Sequence, residues 1–431
     1  MKAVACVTLR ANETMLEAVD DLRASANTAY PLTQPLPAGA FGVFGPTVAF
    51  GTAAYASADA RAISATIAAP ADPIPGWRLR GSLWPGERYI VRIPTHWNGR
   101  LVVAGTPAQR SEFANDLIFS DPLLARGYAY VCGNKSQGES QIILSGTSRL
   151  EVDGVVMPRF FIPGDLGVSF WQHAPGNTFA RWMDEFFAIT QRAQEAIEEV
   201  HHRPPDAVYA IGLSNGANQV RFALERSDRY DGGLSWNGVL WTKEYNLLRQ
   251  LPQAVLAMES AEPEYLEELG FPPDVFGEDG SSLYARNLAT YWGVTAWLHA
   301  MLFDPQTSTA YGDVTSPQAA EVWNANIGSW RIDRSPKILE RIGGYAHTGA
   351  IRAKMIDIAS EYDHLLPPKM HFYPYAELVA QAGRAAMYRS ELIPNAQHVD
   401  SWSEDPNFPK MRPAHPRVLA AFDELVRWVE G

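Results

Sequence analysis

Cysteine is scarce in this chain, which has only Cys6 and Cys132 among its 431 residues. Two thiols can form one disulfide, but they cannot form the disulfide framework on which small secreted domains depend. Buried free thiols are therefore the expected state, and stability must come from an ordinary hydrophobic core. The composition allows such a core, since 46% of the residues are apolar and 11% are aromatic.

Long apolar runs and basic runs are both missing from the sequence. No apolar run approaches the roughly 20 residues that a membrane-spanning helix requires. The formal net charge of −12 makes nucleic acid or an anionic membrane surface an unfavourable partner. The N-terminal residues do not read as a signal peptide, because charges interrupt them before an apolar core forms. The sequence leaves the compartment unknown: the chain as it stands is typical of a cytoplasmic protein, and a secreted or periplasmic location stays open if a leader was removed.

Motifs for metals, nucleotides and redox centres are missing as well. The sequence contains no H-E-x-x-H, C-x-x-C, G-x-G-x-x-G or P-loop pattern. We therefore expect no metal and no cofactor, and look for chemistry that side chains perform alone.

The most informative motif is Gly-Leu-Ser-Asn-Gly at 212–216, which matches the G-x-S-x-G pattern. The apolar run 207–211 predicts a buried strand before it, and 217–224 predicts a helix after it. Such a turn holds its serine in strained backbone angles, and only glycine-sized neighbours leave room for the two chain segments to pass. Ser214 is therefore predicted to be a catalytic nucleophile.

A serine nucleophile needs a base to take its proton and a carboxylate to orient that base. Asp363 directly follows a predicted strand at 353–359 and is the preferred acid. Glu361 is its rival, and Asp357, within the strand itself, is a more remote alternative. A further alternative is that Asp363 only caps a turn.

His398 is the preferred base, because it lies between the predicted strand 388–393 and the C-terminal helix, where triads built on this serine motif place their histidine. His364 adjoins the acid in sequence, so its side chain should point elsewhere. Four further histidines, out of ten in the chain, flank the acid's strand or precede the nucleophile: His347, His371, His201 and His202.

A tetrahedral oxyanion needs two preorganised N–H donors. One is expected from the backbone of Asn215 at the start of the helix. The second is expected from Thr106 or Gly105, after a short strand at 101–104, whereas Pro107 has no N–H to donate. The alternative that this loop is only a turn stays open.

Strands alternate with helices from residue 76 onward, which predicts an α/β fold with a mostly parallel sheet covered on both faces. Residues 1–75 are predicted to form an irregular N-terminal wrap. The alternation breaks at 241–340, and this insertion predicts a cap or lid that divides the core into 76–240 and 341–431. Tryptophans of the insertion are more often core than binding surface, but some should face the pocket, and the candidates are Trp292, Trp297 and Trp323.

With these motifs in order, the chain resembles the α/β-hydrolase superfamily over roughly 76–240 and 340–430. The resemblance implies an eight-stranded, mostly parallel sheet, a Ser-Asp-His triad and no cofactor. The long leading segment and large insertion are similar to those of tannase and feruloyl esterase relatives, or of hydrolases of hydroxyalkanoate oligomers and oxidised polyvinyl alcohol. No cysteine neighbours Ser214 or His398, which departs from the tannase pattern.

These expectations predict a serine esterase that cleaves a small-molecule carboxylic ester through an acyl-enzyme, with an apolar or aromatic substrate. The same triad can also cleave amides or peptides, open lactones or break the carbon–carbon bond of a β-diketone. A non-catalytic binding protein on the same scaffold is the alternative of a different class. The sequence does not indicate an oligomeric state.

Overall fold

The structure is a computed structural model, and it describes most of the chain. The described residues are 16–23, 70–84, 87–107, 112–136, 140–144, 151–152, 155–156, 159–162, 166–170, 178–288, 292–304, 327–400 and 407–431. The described strands are β1 (Glu17–Val19), β2 (Gly76–Gly81), β3 (Tyr89–Pro94), β4 (Arg100–Gly105), β5 (Ala129–Gly133), β6 (Ser140–Leu144), β7 (Glu151–Val152), β8 (Val155–Val156), β9 (Arg159–Ile162), β10 (Leu166–Phe170), β11 (Ala207–Leu213), β12 (Gly232–Trp236), β13 (Lys354–Ser360) and β14 (Tyr388–Ile393).

The described α-helices lie between and after these strands. They are α1 (Asp121–Leu124), α2 (Phe179–His201), α3 (Asn215–Arg226), α4 (Leu247–Glu259), α5 (Tyr265–Glu268), α6 (Leu283–Asn287), α7 (Gly293–Phe303), α8 (Pro336–Gly344), α9 (Pro368–His371), α10 (Tyr373–Gln381) and α11 (His415–Glu430). The described helical segments also include a π-helical turn at Asp116–Ser120 and short 3-10 turns at Ile332–Arg334 and Ala385–Met387. None of the helices in these ranges is both long and apolar enough to cross a membrane.

Nine strands form the main sheet, in the order β1-β2-β3-β5-β4-β11-β12-β13-β14. Every pair from β5 to β14 is parallel, while β1, β2 and β3 are joined by antiparallel pairing. The predicted mostly parallel sheet is therefore confirmed. It has one strand more than the eight expected, because β1 extends the edge beside β2.

Both faces of the central strands are buried, which explains why these strands are apolar throughout. In β4, Leu101 and Val103 belong to a cluster with side chains of α2 and α3. Val102 and Ala104 point the other way, into a cluster with side chains of α11. A strand covered on both faces has no solvent side on which polar residues would be favoured, so its sequence does not alternate.

Two inserted segments of the chain lie outside this core sheet. The first lies between β5 and α2, where β6, β9 and β10 form a small antiparallel sheet and β7 pairs with β8, and the sequence predicts no element there. The second is the expected insertion between β12 and β13. Its helices α4, α7 and α8 contribute to a third hydrophobic cluster, which also contains Trp182 of α2 and Leu365 and Leu366 after β13.

Leu234 of β12 tests the placement of this strand inside the sheet, because its side chain is fully buried. Leu234→Ala is expected to lower the free energy of unfolding by about 2–5 kcal/mol, since it removes buried apolar surface and leaves a cavity. Leu256→Ala is the matched control, as Leu256 lies 40% exposed on α4. Urea-induced unfolding measures both variants, and equal losses would contradict the buried position of β12.

Candidate active site

Ser214 occupies the sharp turn between β11 and α3. Its backbone has φ 59° and ψ −121°, a positive φ that a residue with a side chain rarely adopts. The residue as a whole is 8% exposed. A strained serine at the end of a buried strand is the arrangement that the Gly-Leu-Ser-Asn-Gly motif predicts.

Three glycines make this turn possible. A Cβ atom placed at Gly212 would lie less than 3.0 Å from the backbone of Gly216, and one placed at Gly216 would clash in the same way with Gly105. Because the clashing atoms are backbone, no side-chain movement relieves them. The glycines of the motif are therefore needed by the turn itself, and Gly105 is a third member that the motif does not contain.

His398 and Asp363 form a direct pair. The Nδ1 atom of His398 lies 2.7 Å from the Oδ2 atom of Asp363. The other carboxylate oxygen accepts hydrogen bonds from the backbone N–H groups of Leu365, at 2.9 Å, and Leu366, at 2.7 Å. Both oxygens of the buried carboxylate are thus engaged, which fixes its orientation. With Nδ1 held by the carboxylate as the protonated nitrogen, Nε2 is the basic nitrogen of a neutral imidazole.

The topology brings these residues to one edge of the sheet. Ser214 follows β11, Asp363 follows β13, and His398 lies in the loop after β14. These strands and the intervening β12 are all parallel, so their carboxyl ends lie together. In open α/β sheets this is the edge at which ligands bind.

Asn237, directly after β12, links the end of β13 to the loop after β14, and sequence reasoning missed it. Its Nδ2 atom donates to the carbonyl of His398 at 3.0 Å and to Oγ of Ser360 at 3.1 Å, and its Oδ1 atom accepts from the N–H of Ser360 at 2.8 Å. The residue before it, Trp236, accepts from the N–H of Ser214 at 2.9 Å. Asn237 has φ 48°, and asparagine tolerates this left-handed conformation better than most residues.

The rival carboxylates are engaged elsewhere. Asp357 is buried against Arg221, with 2.8 Å between Oδ2 and the guanidinium, and it accepts a hydrogen bond from Tyr388 at 2.7 Å. Glu361 accepts the backbone N–H of Asn395 at 2.8 Å. Of the three carboxylates considered from the sequence, Asp363 is the one that the structure places against His398.

Three other histidines of the sequence analysis are buried and hydrogen-bonded elsewhere. His347 accepts the backbone N–H of Trp241, and His371 accepts that of Leu240, both at 3.1 Å. Burial lowers the pKa of both imidazoles to about 3, so they are neutral and weakly basic near pH 7. His364 points away from the acid that precedes it, as expected, with Nδ1 against the side chain of Gln397.

The two predicted oxyanion donors, the backbone N–H groups of Asn215 and Thr106, lie in different surroundings. Asn215 is the first residue of α3, and an N–H group in this position has no acceptor within its own helix. Thr106 lies in the loop that touches the turn through Gly105, but its N–H donates to Oε1 of Gln219 at 3.1 Å. The carbonyl of Gly105 accepts from Nδ2 of Asn115 at 2.8 Å, which fixes the peptide plane that carries the Thr106 N–H.

Of the three tryptophans predicted to contact substrate, the structure describes the side chain of Trp292. Trp292 is fully buried, its indole N–H donates to the carbonyl of His364 at 2.6 Å, and its ring lies against Phe271. Trp292 thus offers no surface to a substrate in this structure. The side chain of Trp297 and the whole of Trp323 lie outside the described residues.

The insertion supplies a residue near the turn that sequence reasoning missed. His299 of α7 has Nε2 3.3 Å from Oδ1 of Asn215 and Nδ1 2.8 Å from the carbonyl of Thr295. Burial lowers the pKa of His299 to about 4. A lone histidine in an apolar helix carries no sequence signal for this position, because the contact joins residues 84 positions apart.

Other reactive groups near the site are not arranged for catalysis. Cys132 is a buried free thiol, 3.3 Å from Oγ1 of Thr106, and burial raises its pKa to about 11, so it is an unreactive thiol near pH 7. Cys6 lies outside the described residues. Within the part of the chain that the structure describes, no group of three or more His, Cys, Asp and Glu side chains is placed to hold a metal ion.

Comparison with known proteins finds similarity only at the level of structure. No protein-family model matches the sequence, and no curated protein matches it significantly. Feruloyl esterase B from Aspergillus oryzae is 13% identical with a TM-score of 0.43, over 75% of each chain. Tannin acyl hydrolase from Aspergillus niger is 11% identical with a TM-score of 0.43, over 84% of this chain and 80% of the other.

A peptidase is among the similar structures too. The acylaminoacyl peptidase of Pyrococcus horikoshii is 10% identical with a TM-score of 0.38, over 79% of this chain and 39% of the other. Structural similarity at these identities and TM-scores establishes neither the substrate nor the reaction of this protein.

The architecture follows from the topology and the turn. The parallel strands β11 and β13 and the loop after β14 carry Ser214, Asp363 and His398 in that chain order, with the serine at a strained strand–helix junction. Together with the strand order of the sheet, these features identify the chain as having the α/β-hydrolase fold.

Proposed function

We propose that this protein is a serine hydrolase that cleaves a small-molecule carboxylic ester through an acyl-enzyme. The observation that carries the proposal is the 2.7 Å pair of His398 and Asp363 at the sheet edge where Ser214 sits in a strained turn. A nucleophile, a base and a group that orients the base are the three components that acyl transfer by serine requires.

In the proposed reaction, Oγ of Ser214 attacks the ester carbonyl carbon while Nε2 of His398 takes the hydroxyl proton. The tetrahedral intermediate collapses as His398 gives that proton to the departing alcohol, which leaves an acyl group on Ser214. Water then attacks the acyl carbon, with His398 again as base, and releases the carboxylic acid and the free serine. Asp363 stabilises the imidazolium that forms in each half of the reaction.

We assign the oxyanion hole to the N–H groups of Asn215 and Thr106. Asn215 supplies the first at the helix N-terminus, where the helix dipole also favours negative charge. Thr106 supplies the second once a substrate oxygen replaces Oε1 of Gln219 as its acceptor. Gly105 contributes by bringing this loop against the turn, and its own carbonyl is held by Asn115.

We further propose that the insertion at 241–340 covers the site as a cap and that residues 76–240 and 341–431 form the catalytic core. The contact of His299 with Asn215 supports this role, since it places α7 beside the turn. The apolar and aromatic character of the neighbouring cluster favours an apolar or aromatic group on the substrate. Trp297 and Trp323 remain predicted substrate contacts.

The nucleophile is tested by Ser214→Ala. This variant is expected to lose at least about a thousandfold in ester turnover, because no other group supplies the attacking oxygen. A fluorophosphonate probe should label the unaltered protein covalently and leave Ser214→Ala unlabelled. Ser390→Ala, at an exposed position on β14, is the control and should be labelled normally. Equal labelling of Ser214→Ala would overturn the assignment.

The acid is tested by a pair of neutral substitutions. Asp363→Asn is expected to lower kcat by a factor on the order of 10³–10⁴, since an amide in place of the carboxylate favours the wrong imidazole tautomer. Glu361→Gln changes the same kind of charge two positions away and should leave kcat within about threefold. Steady-state hydrolysis of a p-nitrophenyl ester measures both, and the reverse order would make Glu361 the acid.

The bond that is cleaved is tested by comparing substrate classes. We expect p-nitrophenyl esters of aromatic or medium-chain acids to be hydrolysed at least about tenfold more efficiently, in kcat/KM, than peptide anilides or β-diketones, because the p-nitrophenolate leaving group needs less protonation than an amine or carbanion. Absorbance assays with the Ser214→Ala control distinguish the three. Faster anilide or diketone cleavage would replace the ester assignment.

A further inference from the structure

His364 is a buried histidine that the proposed reaction does not use, although it directly follows the acid. Its Nε2 atom lies 3.1 Å from the carbonyl oxygen of Pro273, and its Nδ1 atom lies 3.1 Å from Nε2 of Gln397. A carbonyl oxygen only accepts, so the His364 ring must carry its proton on Nε2. Nδ1 is then the acceptor for the Gln397 amide, and one neutral tautomer satisfies both contacts.

These contacts run parallel to the catalytic pair. Gln397 is the residue before His398, just as His364 is the residue after Asp363. Two adjacent side-chain hydrogen bonds therefore join the same two loops, one between Asp363 and His398 and the other between His364 and Gln397. If either loop shifts enough to break the bond between His364 and Gln397, the neighbouring residues Asp363 and His398 are displaced as well.

The insertion holds His364 from the other side. The carbonyl of His364 accepts the indole N–H of Trp292 at 2.6 Å, and its ring packs edge-on against Tyr284 with 5.0 Å between ring centroids. Tyr284 donates through its hydroxyl to the carbonyl of Pro272, next to the Pro273 carbonyl that His364 binds. The aromatic side chains are themselves buried together, so this contact surface is rigid.

We propose that His364 is a positioning residue that fixes the geometry of Asp363 and His398 and couples it to the insertion. This inference deepens the proposed function and rests on it. Its consequence is that the segment carrying Pro273, Tyr284 and Trp292 acts on the chemical step, in addition to any part it has in binding. Perturbing the contact should therefore lower kcat and leave KM nearly unchanged.

The test uses His364→Phe, which keeps a buried ring but removes both ring hydrogen bonds, and His364→Gln, whose amide can accept from Gln397 and donate to Pro273. Trp292→Phe removes only the indole hydrogen bond. Gln397→Leu breaks the parallel bond from the other loop, and it decides the question if His364→Phe does not fold. Tyr230→Phe is the matched control, since it removes one buried hydrogen bond, to Thr190, on the other side of the core.

We expect His364→Phe and Gln397→Leu to lower kcat for a p-nitrophenyl ester, and the rate of fluorophosphonate labelling, by at least about tenfold, since small displacements of catalytic groups have effects of this size. KM should stay within about twofold, His364→Gln should recover most of the rate, and Trp292→Phe should lie between. Tyr230→Phe should match the unaltered protein, as a hydrogen bond distant from the site affects stability alone.

Two outcomes separate the proposals. If the unaltered protein is neither labelled nor active, the hydrolase assignment fails and the positioning role falls with it. If the unaltered protein is labelled and Gln397→Leu and every folded His364 variant keep its kcat and labelling rate, the hydrolase assignment stands and the positioning role is overturned. A loss of rate in Tyr230→Phe equal to that in Gln397→Leu would also overturn it, because the effect would then reflect lost stability.

Discussion

The backbone contact between Gly105 and Gly216 is the constraint on which the site depends. Neither position has room for a Cβ atom, so the loop after β4 and the first turn of α3 lie in direct contact. This contact brings the Thr106 peptide beside the turn in which Ser214 adopts its positive φ of 59°. The strain is retained because β11 and α3 are both buried in the core and determine the turn from both sides.

Around this turn, buried polar contacts hold the segments that carry Asp363 and His398. Asn237 binds the end of β13 and the loop after β14, and the Asp357–Arg221 ion pair joins β13 to the helix that begins after Ser214. Buried polar groups of this kind stabilise a unique geometry only when their partners are present, since each unpaired group would be costly in a low-dielectric interior. The candidate site is therefore positioned by a network that extends well beyond Ser214, Asp363 and His398.

The sequence predicts the parts of this molecule whose signal is local. Ser214 is marked by glycines and by a strand and a helix on either side, and Asp363 and His398 are marked by their places after strands. The sequence does not predict β12, because its residues Gly-Gly-Leu-Ser-Trp lack the branched apolar side chains usual in strands. Its burial comes from the neighbouring strands β11 and β13.

Asn237 and His299 are not predicted for another reason: their partners are 123 and 84 positions away along the chain.

The burial of Leu365 and Leu366 in the cluster of the insertion limits what can be removed from the chain. Excising the insertion to make a smaller catalyst would expose these leucines, whose N–H groups hold the Asp363 carboxylate, to water. The proposed acid would then sit in a solvated, less ordered loop, so a minimal version of this protein needs a redesigned apolar cover at that position.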